Sequence, residues 1–296
     1  MATPAPIATP AEPRPVSTDD IVLRAMTAAD LEATTELSRE QGWPHRPEDW
    51  AFFLEQGEGV VAVCGGEIVG SIMGWRYGAD FASIGLVIVS NKMQRRGLGG
   101  RLMQAMLDRL EGRSVMLNAT EAGLPLYQKL GFVAIGTIHQ HQAVAGAMPL
   151  AELRPGERVR PSGGADDMLG ELYSRAAGMD RAALFEALAG EGSTVVLTRD
   201  HVPVGFAQLR RFGHGWSIGP VVAPDAEGAK ALILHWLATN SGSFCRLDVT
   251  GASGLSPWLG ELGLPNVDNV VTMVRGPAPA TGTDATVMAL PAQCLG

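Results

Sequence analysis

A chain that repeats its own landmarks in order has to fold as two copies of one unit, and this chain does so. Arg24 recurs as Arg160, Val61 as Val196, Gly70 as Gly205, Gly85 as Gly219 and Gly131 as Gly263, at offsets that drift from 136 to 132. The triplet Ser83-Ile84-Gly85 returns as Ser217-Ile218-Gly219. Collinear matches at a slowly shrinking offset are what small deletions leave in a duplicated domain. The 296 residues also exceed the size at which single cores usually stop growing. The expected division is a flexible lead over 1–20, a first domain over 21–147, a linker over 148–157, a second domain over 158–276 and a loose Ala/Pro/Thr-rich tail over 277–296.

Within the first copy the elements follow from periodicity and turn chemistry. Ile21 to Met26 reads as a strand. Ala28 to Gln41 and Pro47 to Glu55 read as helices separated by the breaker Gly42-Trp43-Pro44-His45-Arg46. Val60 to Cys64 and Ile68 to Tyr77 form a hairpin over Gly65-Gly66, a two-residue turn signal. Phe81 to Val89 is the next strand. Leu98, Leu102, Met103, Met106, Leu107 and Leu110 mark one face of a helix, which Gly112 ends. Ser114 to Asn118 is a strand and Gly123 to Leu130 a short helix. Phe132 to Ile138 and Gln140 to Ala147 close the copy as two further strands.

The run Gln94-Arg95-Arg96-Gly97-Leu98-Gly99-Gly100-Arg101 lies between a strand and a helix. Glycines let the backbone take positive φ and approach a ligand closely. The first-turn N–H groups of a helix have no intrahelical partner, and its dipole favours an anion there. Arginines add charge-assisted hydrogen bonds. Together these make a diphosphate cradle. The second copy has Pro224-Asp225-Ala226-Glu227-Gly228 at that place, with two carboxylates and no arginine. It keeps the scaffold and loses the anion site.

Composition narrows the partners. A net charge of −8 weighs against nucleic acid and is mildly favourable to amines. Three scattered cysteines, Cys64, Cys245 and Cys294, give neither a disulfide framework nor zinc-ligand spacing, so no metal is expected. No run approaches the roughly 18 apolar residues of a membrane span, and Met1 to Asp20 lacks the layout of a signal peptide. The expectation is a cytoplasmic protein with no membrane partner.

The element order, an α+β arrangement of a mixed, mostly antiparallel sheet flanked by helices, resembles the GCN5-related N-acetyltransferase (GNAT) family. Three blocks carry the resemblance: Val87-x-Val89, then Gln94-Arg95-Arg96-Gly97-Leu98-Gly99, then Leu126-Tyr127-x-Lys129-x-Gly131-Phe132. A dinucleotide fold fits less well, because the loop falls short of Gly-x-Gly-x-x-Gly and no parallel β-α-β unit precedes it. The resemblance implies two tandem acyl-CoA N-acyltransferase-like domains, the second degenerate.

It further implies that the diphosphate belongs to acetyl-CoA, cradled by Gln94, Arg95, Arg96, Gly97, Leu98, Gly99, Gly100 and Arg101. Val87, Ile88 and Val89 would pair with the pantetheine arm like a neighbouring strand. Tyr127 would be the acid that protonates the leaving thiolate, since a phenol stays protonated at neutral pH. Many relatives have Asn and Ala where this chain has Thr120 and Gly123, so Thr120 is a candidate cofactor contact from that turn. Trp43, His45 and Trp50 lie in the helix–helix region that usually walls the acceptor site, and His45 titrates in a range suited to a base. The implied reaction moves an acetyl group directly to the primary amine of a small molecule. A protein or peptide amine, or an acyl-CoA-binding sensor without turnover, are the alternatives.

Overall fold

The structure is a computed structural model, and it describes residues 20–164 and 166–296. The expected flexible lead therefore lies, but for its last residue, outside the described residues. The first copy runs β1 (Val22–Ala25), α1 (Leu31–Glu40), α2 (Pro47–Gln56), β2 (Glu58–Cys64), β3 (Glu67–Tyr77), β4 (Phe81–Val89), α3 (Leu98–Arg109), β5 (Ser114–Ala119), α4 (Leu124–Lys129) and β6 (Val133–Val144). The second repeats the order as β7 (Glu157–Pro161), α5 (Leu169–Ala177), α6 (Ala182–Gly190), β8 (Gly192–Arg199), β9 (Val202–Phe212), β10 (Gly215–Ala223), α7 (Ala226–Thr239), β11 (Phe244–Thr250), α8 (Ser256–Glu261) and β12 (Asn266–Arg275). The fold is mixed α/β, with a mostly antiparallel sheet flanked by helices.

The landmarks occupy equivalent places. Arg24 lies opposite Val61 in the first copy, as Arg160 lies opposite Val196 in the second. Each arginine grips a carboxylate six residues on: Arg24 reaches both oxygens of Asp30 at 2.7 and 2.6 Å, and Arg160 both oxygens of Asp166 at 2.7 Å. Gly131 and Gly263 both end a short helix at φ +85.

Two expectations are corrected. The final strands of the first copy are one continuous strand, β6, long enough to serve both halves. All strands of the described residues join in a single 13-stranded sheet in which β12 lies between β5 and β6, and β6 lies between β12 and β11. Each copy thus lends the other the strand it would have used to finish its own sheet. The segment 277–296 is also not a loose tail. It contains β13 (Thr286–Leu290), which pairs with β10 through Val221–Ala223 and with β11 through Asp248 and Val249. Met288, Ala289, Leu290, Ala292 and Leu295 are all buried. Apolar burial of that kind stabilises by about 1.5–3 kcal/mol per large side chain, which holds this end in place despite its Pro- and Thr-rich approach.

The core lies in layers on the two faces of the sheet. On one face, Leu98, Leu102, Met103 and Met106 of α3 are at most 2% exposed and pack across β2, β3 and β4. On the other, α1 and α2 share one apolar cluster with α5 and α6. The turns there interlock reciprocally. Pro44, before α2, sits against Gly213 in the β9–β10 turn, and Asp180, before α6, sits against Gly78 in the β3–β4 turn.

Candidate active site

Strands β4 and β5 run parallel and pair only from Phe81–Ser83 to Ser114–Met116. Beyond that they part, because β4 bulges: Leu86 takes φ +52, its carbonyl accepts the Ser71 hydroxyl at 3.0 Å, and the register with β3 slips between Ser71 and Met73. A bulge twists a strand locally and can end its pairing. Ile84 to Val89 keep β3 on one side and have no ladder partner among the described residues on the other, while β5 pairs with β12 along its far edge from Val115 to Ala119. Val87, Ile88 and Val89 therefore present an open strand edge to the gap, and Val87 and Val89 are only half-buried.

The gap leads to the bend at 94–101. Gln94 donates through Nε2 to the Val89 carbonyl at 3.3 Å and to Asn91 Oδ1 at 3.0 Å. Arg95 takes φ +61. Gly97 is the N-cap of α3 in the left-handed region, at φ +77, and no side chain of the described residues caps the helix. The first helical bond runs from Arg101 N–H to the Gly97 carbonyl, so the amides of Leu98, Gly99 and Gly100 have no intrahelical acceptor. Gln94, Arg95, Arg96 and Gly97 are exposed. The Leu98 side chain is in the core, leaving only its backbone for a ligand. Gly99 and Gly100 lie against Leu126, and Arg101 reaches the Ile21 carbonyl at 3.0 Å. An uncapped helix N-terminus beside an open strand edge fits a diphosphate with an amide-bearing arm.

In the second copy both features are closed. Asp225 caps α7, its Oδ1 accepting from Gly228 N–H at 2.9 Å and its Oδ2 from Arg154 at 2.7 Å. Strands β10 and β11 pair only at Trp216–Ser217 and Cys245–Arg246, and β13 fills the gap beyond them. The residues of this copy do not fit a diphosphate or its arm.

Tyr127 stands on α4 among the apolar residues of the α3 face, 9% exposed, its ring edge-on to Phe132 at 6.1 Å. Burial alone pushes its pKa up to about 12. Gly123 is explained by this ring, since a Cβ there would lie 2.6 Å from Tyr127 Cε2.

On the opposite face, a cavity of about 260 Å³ opens at the gap. The first copy contributes Trp43, His45, Gly85, Asn118 and Thr120 to its wall, and β6 adds Gln140 and Gln142. The second contributes Phe212, His214 and Arg246, and the C-terminal segment Ala292, Gln293 and Cys294. Thr120 is thus on the cavity wall.

His45 is surrounded by the rings of Trp43, Trp50, Phe53 and Phe212 at 5.6–6.3 Å. Its Nδ1 is 3.1 Å from Ser38 Oγ, which itself accepts Trp50 Nε1–H at 3.1 Å. Burial, helped by the charges of Arg246 and Arg210 and opposed by Asp49, lowers its pKa to about 4. The ring is neutral at pH 7, and too weakly basic to be an efficient base there. Trp50, expected to wall the acceptor site, is instead fully buried and acts as the donor that orients Ser38. His141 is a satisfied core residue, held between the Leu264 carbonyl at 2.7 Å and Ser256 Oγ at 2.8 Å.

The residues that sequence reasoning missed are those of the second copy and the C-terminus. The offsets held a signal for some of them: Phe212 is the counterpart of Tyr77, and Arg181 of His45. Arg181 is buried, lies over the Tyr77 ring at 3.8 Å and donates to the carbonyls of Leu295 and Gly296 at 2.7 and 2.9 Å. Where the first copy has His45 on the cavity wall, the second has a clamp on the chain end.

Fold and gap together define an N-acetyltransferase architecture written twice. The chain belongs to the GCN5-related N-acetyltransferase family: two models of that family, each described as an acetyltransferase (GNAT) domain, match residues 31–146 and 170–288. It is 28% identical over 221 residues to the uncharacterized N-acetyltransferase YitH of Bacillus subtilis, covering 72% of this chain and 76% of that one. The fold is similar to that of a Pyrococcus horikoshii protein described as an acetyltransferase (TM-score 0.79, 20% identity, 97% of this chain and all of the other). It also resembles a tandem GNAT protein from the clavulanic acid biosynthesis pathway (TM-score 0.60, 16% identity, 87% and 99% covered). Among the described residues no helix is long and apolar enough to cross a membrane.

Proposed function

We propose that the first copy transfers an acetyl group from acetyl-CoA directly to the primary amine of a small molecule, and that the second copy walls the acceptor pocket. The observation that carries this reading is the continuity of the open edge of β4, from the uncapped N-terminus of α3 to a cavity shared by both halves. When bound, acetyl-CoA supplies an acyl group activated as a thioester. The amides of Leu98, Gly99 and Gly100, with Arg95 and Arg96 near them, hold its diphosphate, and the backbone of Val87 to Val89 pairs with its amides. Tyr127, protonated at any physiological pH, holds a proton for the departing thiol. His45 stays neutral and fixes the acceptor's approach, and the amine releases its proton to water in the cavity. The cavity of about 260 Å³ suits a small acceptor.

The test is thiol release from acetyl-CoA in the presence of a panel of primary amines. Amine-dependent release is expected. Saturable acetyl-CoA binding with no release by any amine would replace the enzyme with a sensor.

A further inference from the structure

Resting on that reading of the cavity, we propose that the acceptor carries a carboxylate in addition to its amine, and that Arg246 of the second copy receives it.

Arg246 is on the cavity wall with its side chain 12% exposed. Asp248 takes Nε at 3.1 Å and Nη2 at 3.0 Å. Nη1 donates to no described residue, so one edge of the guanidinium fork is left for a ligand. A planar fork with a free edge is the group best shaped for a carboxylate.

The charge around it does not balance. Arg210, 3% exposed, has only carbonyl acceptors among the described residues, that of Pro291 at 3.1 Å and a long contact to that of Arg211. Its guanidinium lies over the rings of Phe212 and Phe52. Asp248 is matched by Arg246, and Asp49 by Arg46. One buried positive charge is left over, and a buried charge without a counter-ion is costly. Asp268, the remaining carboxylate on the wall, is exposed at the rim. His45 registers the same field, since both arginines make its protonation harder.

The duplication supplies independent support. Ser83 pairs with Met116 in the first copy, as Ser217 pairs with Arg246 in the second. An apolar strand position of the first copy is thus an arginine in the second, where it faces a cavity that belongs to its neighbour. One edge of that arginine neutralises buried Asp248, and the other is turned to the cavity.

The test compares amines that differ in the anionic group alone: lysine with cadaverine, ornithine with putrescine, and each amino acid with its methyl ester. The carboxylate member should have the higher kcat/KM by about tenfold to a hundredfold, the range of a charge-assisted hydrogen bond. Arg246→Lys, which keeps a cation beside Asp248, should narrow that ratio by raising KM for the carboxylate member only. Equal kcat/KM within every pair overturns the proposal, and so does a preference for O-phosphoethanolamine over all carboxylates. If no amine is turned over, the acetyltransferase reading fails by itself. Thermal shifts with N-acetyl amino acids then test Arg246 separately: stabilisation of wild type beyond that of Arg246→Lys supports the site, and equal shifts overturn it.

Discussion

Gly85 and Cys294 touch across 209 residues of sequence, at the point where β4 and β5 part. A Cβ on Gly85 would lie 2.5 Å from Cys294 Cβ and 2.8 Å from its Cα. The end of the chain therefore forms the floor of the gap in the first copy. Gly85→Ala should push that floor away, costing about 1–3 kcal/mol as overpacking does and lowering the urea midpoint. Cys294→Gly on the same background should recover part of the loss. An unchanged midpoint in Gly85→Ala would show that the contact is not maintained in solution.

Deleting residues 291–296 should cost more. The Pro291 carbonyl accepts from buried Arg210, that of Gln293 from Asn118 at 2.7 Å, and that of Leu295 from Tyr77 at 2.6 Å and from Arg181. A buried donor left without its acceptor costs about 1–3 kcal/mol. Calorimetry should show a fall in Tm of at least about 5 °C for a chain of this size. An unaltered Tm would mean that the segment is the loose tail its composition suggests.

Tyr127→Phe should lower kcat by about a hundredfold or more while changing the Kd for acetyl-CoA by less than about twofold. In the proposed role the phenol acts protonated, and burial pushes its pKa up to about 12. The kcat profile of the wild type should therefore show no descending limb from this group up to about pH 10. Turnover unaffected in the Phe variant would remove Tyr127 from the chemistry.

The paired arginine–aspartate clamps give the acid behaviour. Hydrogen bonds from Arg24 hold Asp30 down to about 2, and those from Arg160 do the same for Asp166. The folded state therefore binds fewer protons than the unfolded one, in which Asp titrates near 3.9. This stabilisation is complete above about pH 4 and is lost as pH falls towards 2. Urea midpoints measured from pH 5 to pH 2 should fall less steeply in Asp30→Asn/Asp166→Asn than in wild type. Parallel curves would show that the clamps do not carry the acid limb.

What the sequence disclosed were the features written locally. The duplication was visible because Arg24 and Gly131 each meet a requirement within their own copy. The bend was visible because positive φ at Gly97 and an uncapped helix start leave a mark in composition. Trp50 was misplaced because an aromatic beside a loop reads the same whether it faces ligand or core. The strand Thr286–Leu290 was hidden by the Pro- and Thr-rich residues before it and by its shortness. Pairing partners were not readable at all. Whether β6 lies beside β5 or β11 depends on the facing strand, and β-propensity carries no address. The walls from Phe212 and Arg246 were hidden for the same reason, since they reach the cavity only once β6 and β11 are joined.

The crossed placement of β6 and β12 means that neither repeat is a free-standing module. A fragment ending at residue 147 would bring its last strand but lack the ribbon that separates it from β5, and the complementary fragment would have the mirror-image gap. The two halves are thus tied as loops in a knot are tied, by passing through one another's territory, so that neither repeat can be removed without opening the sheet of the other.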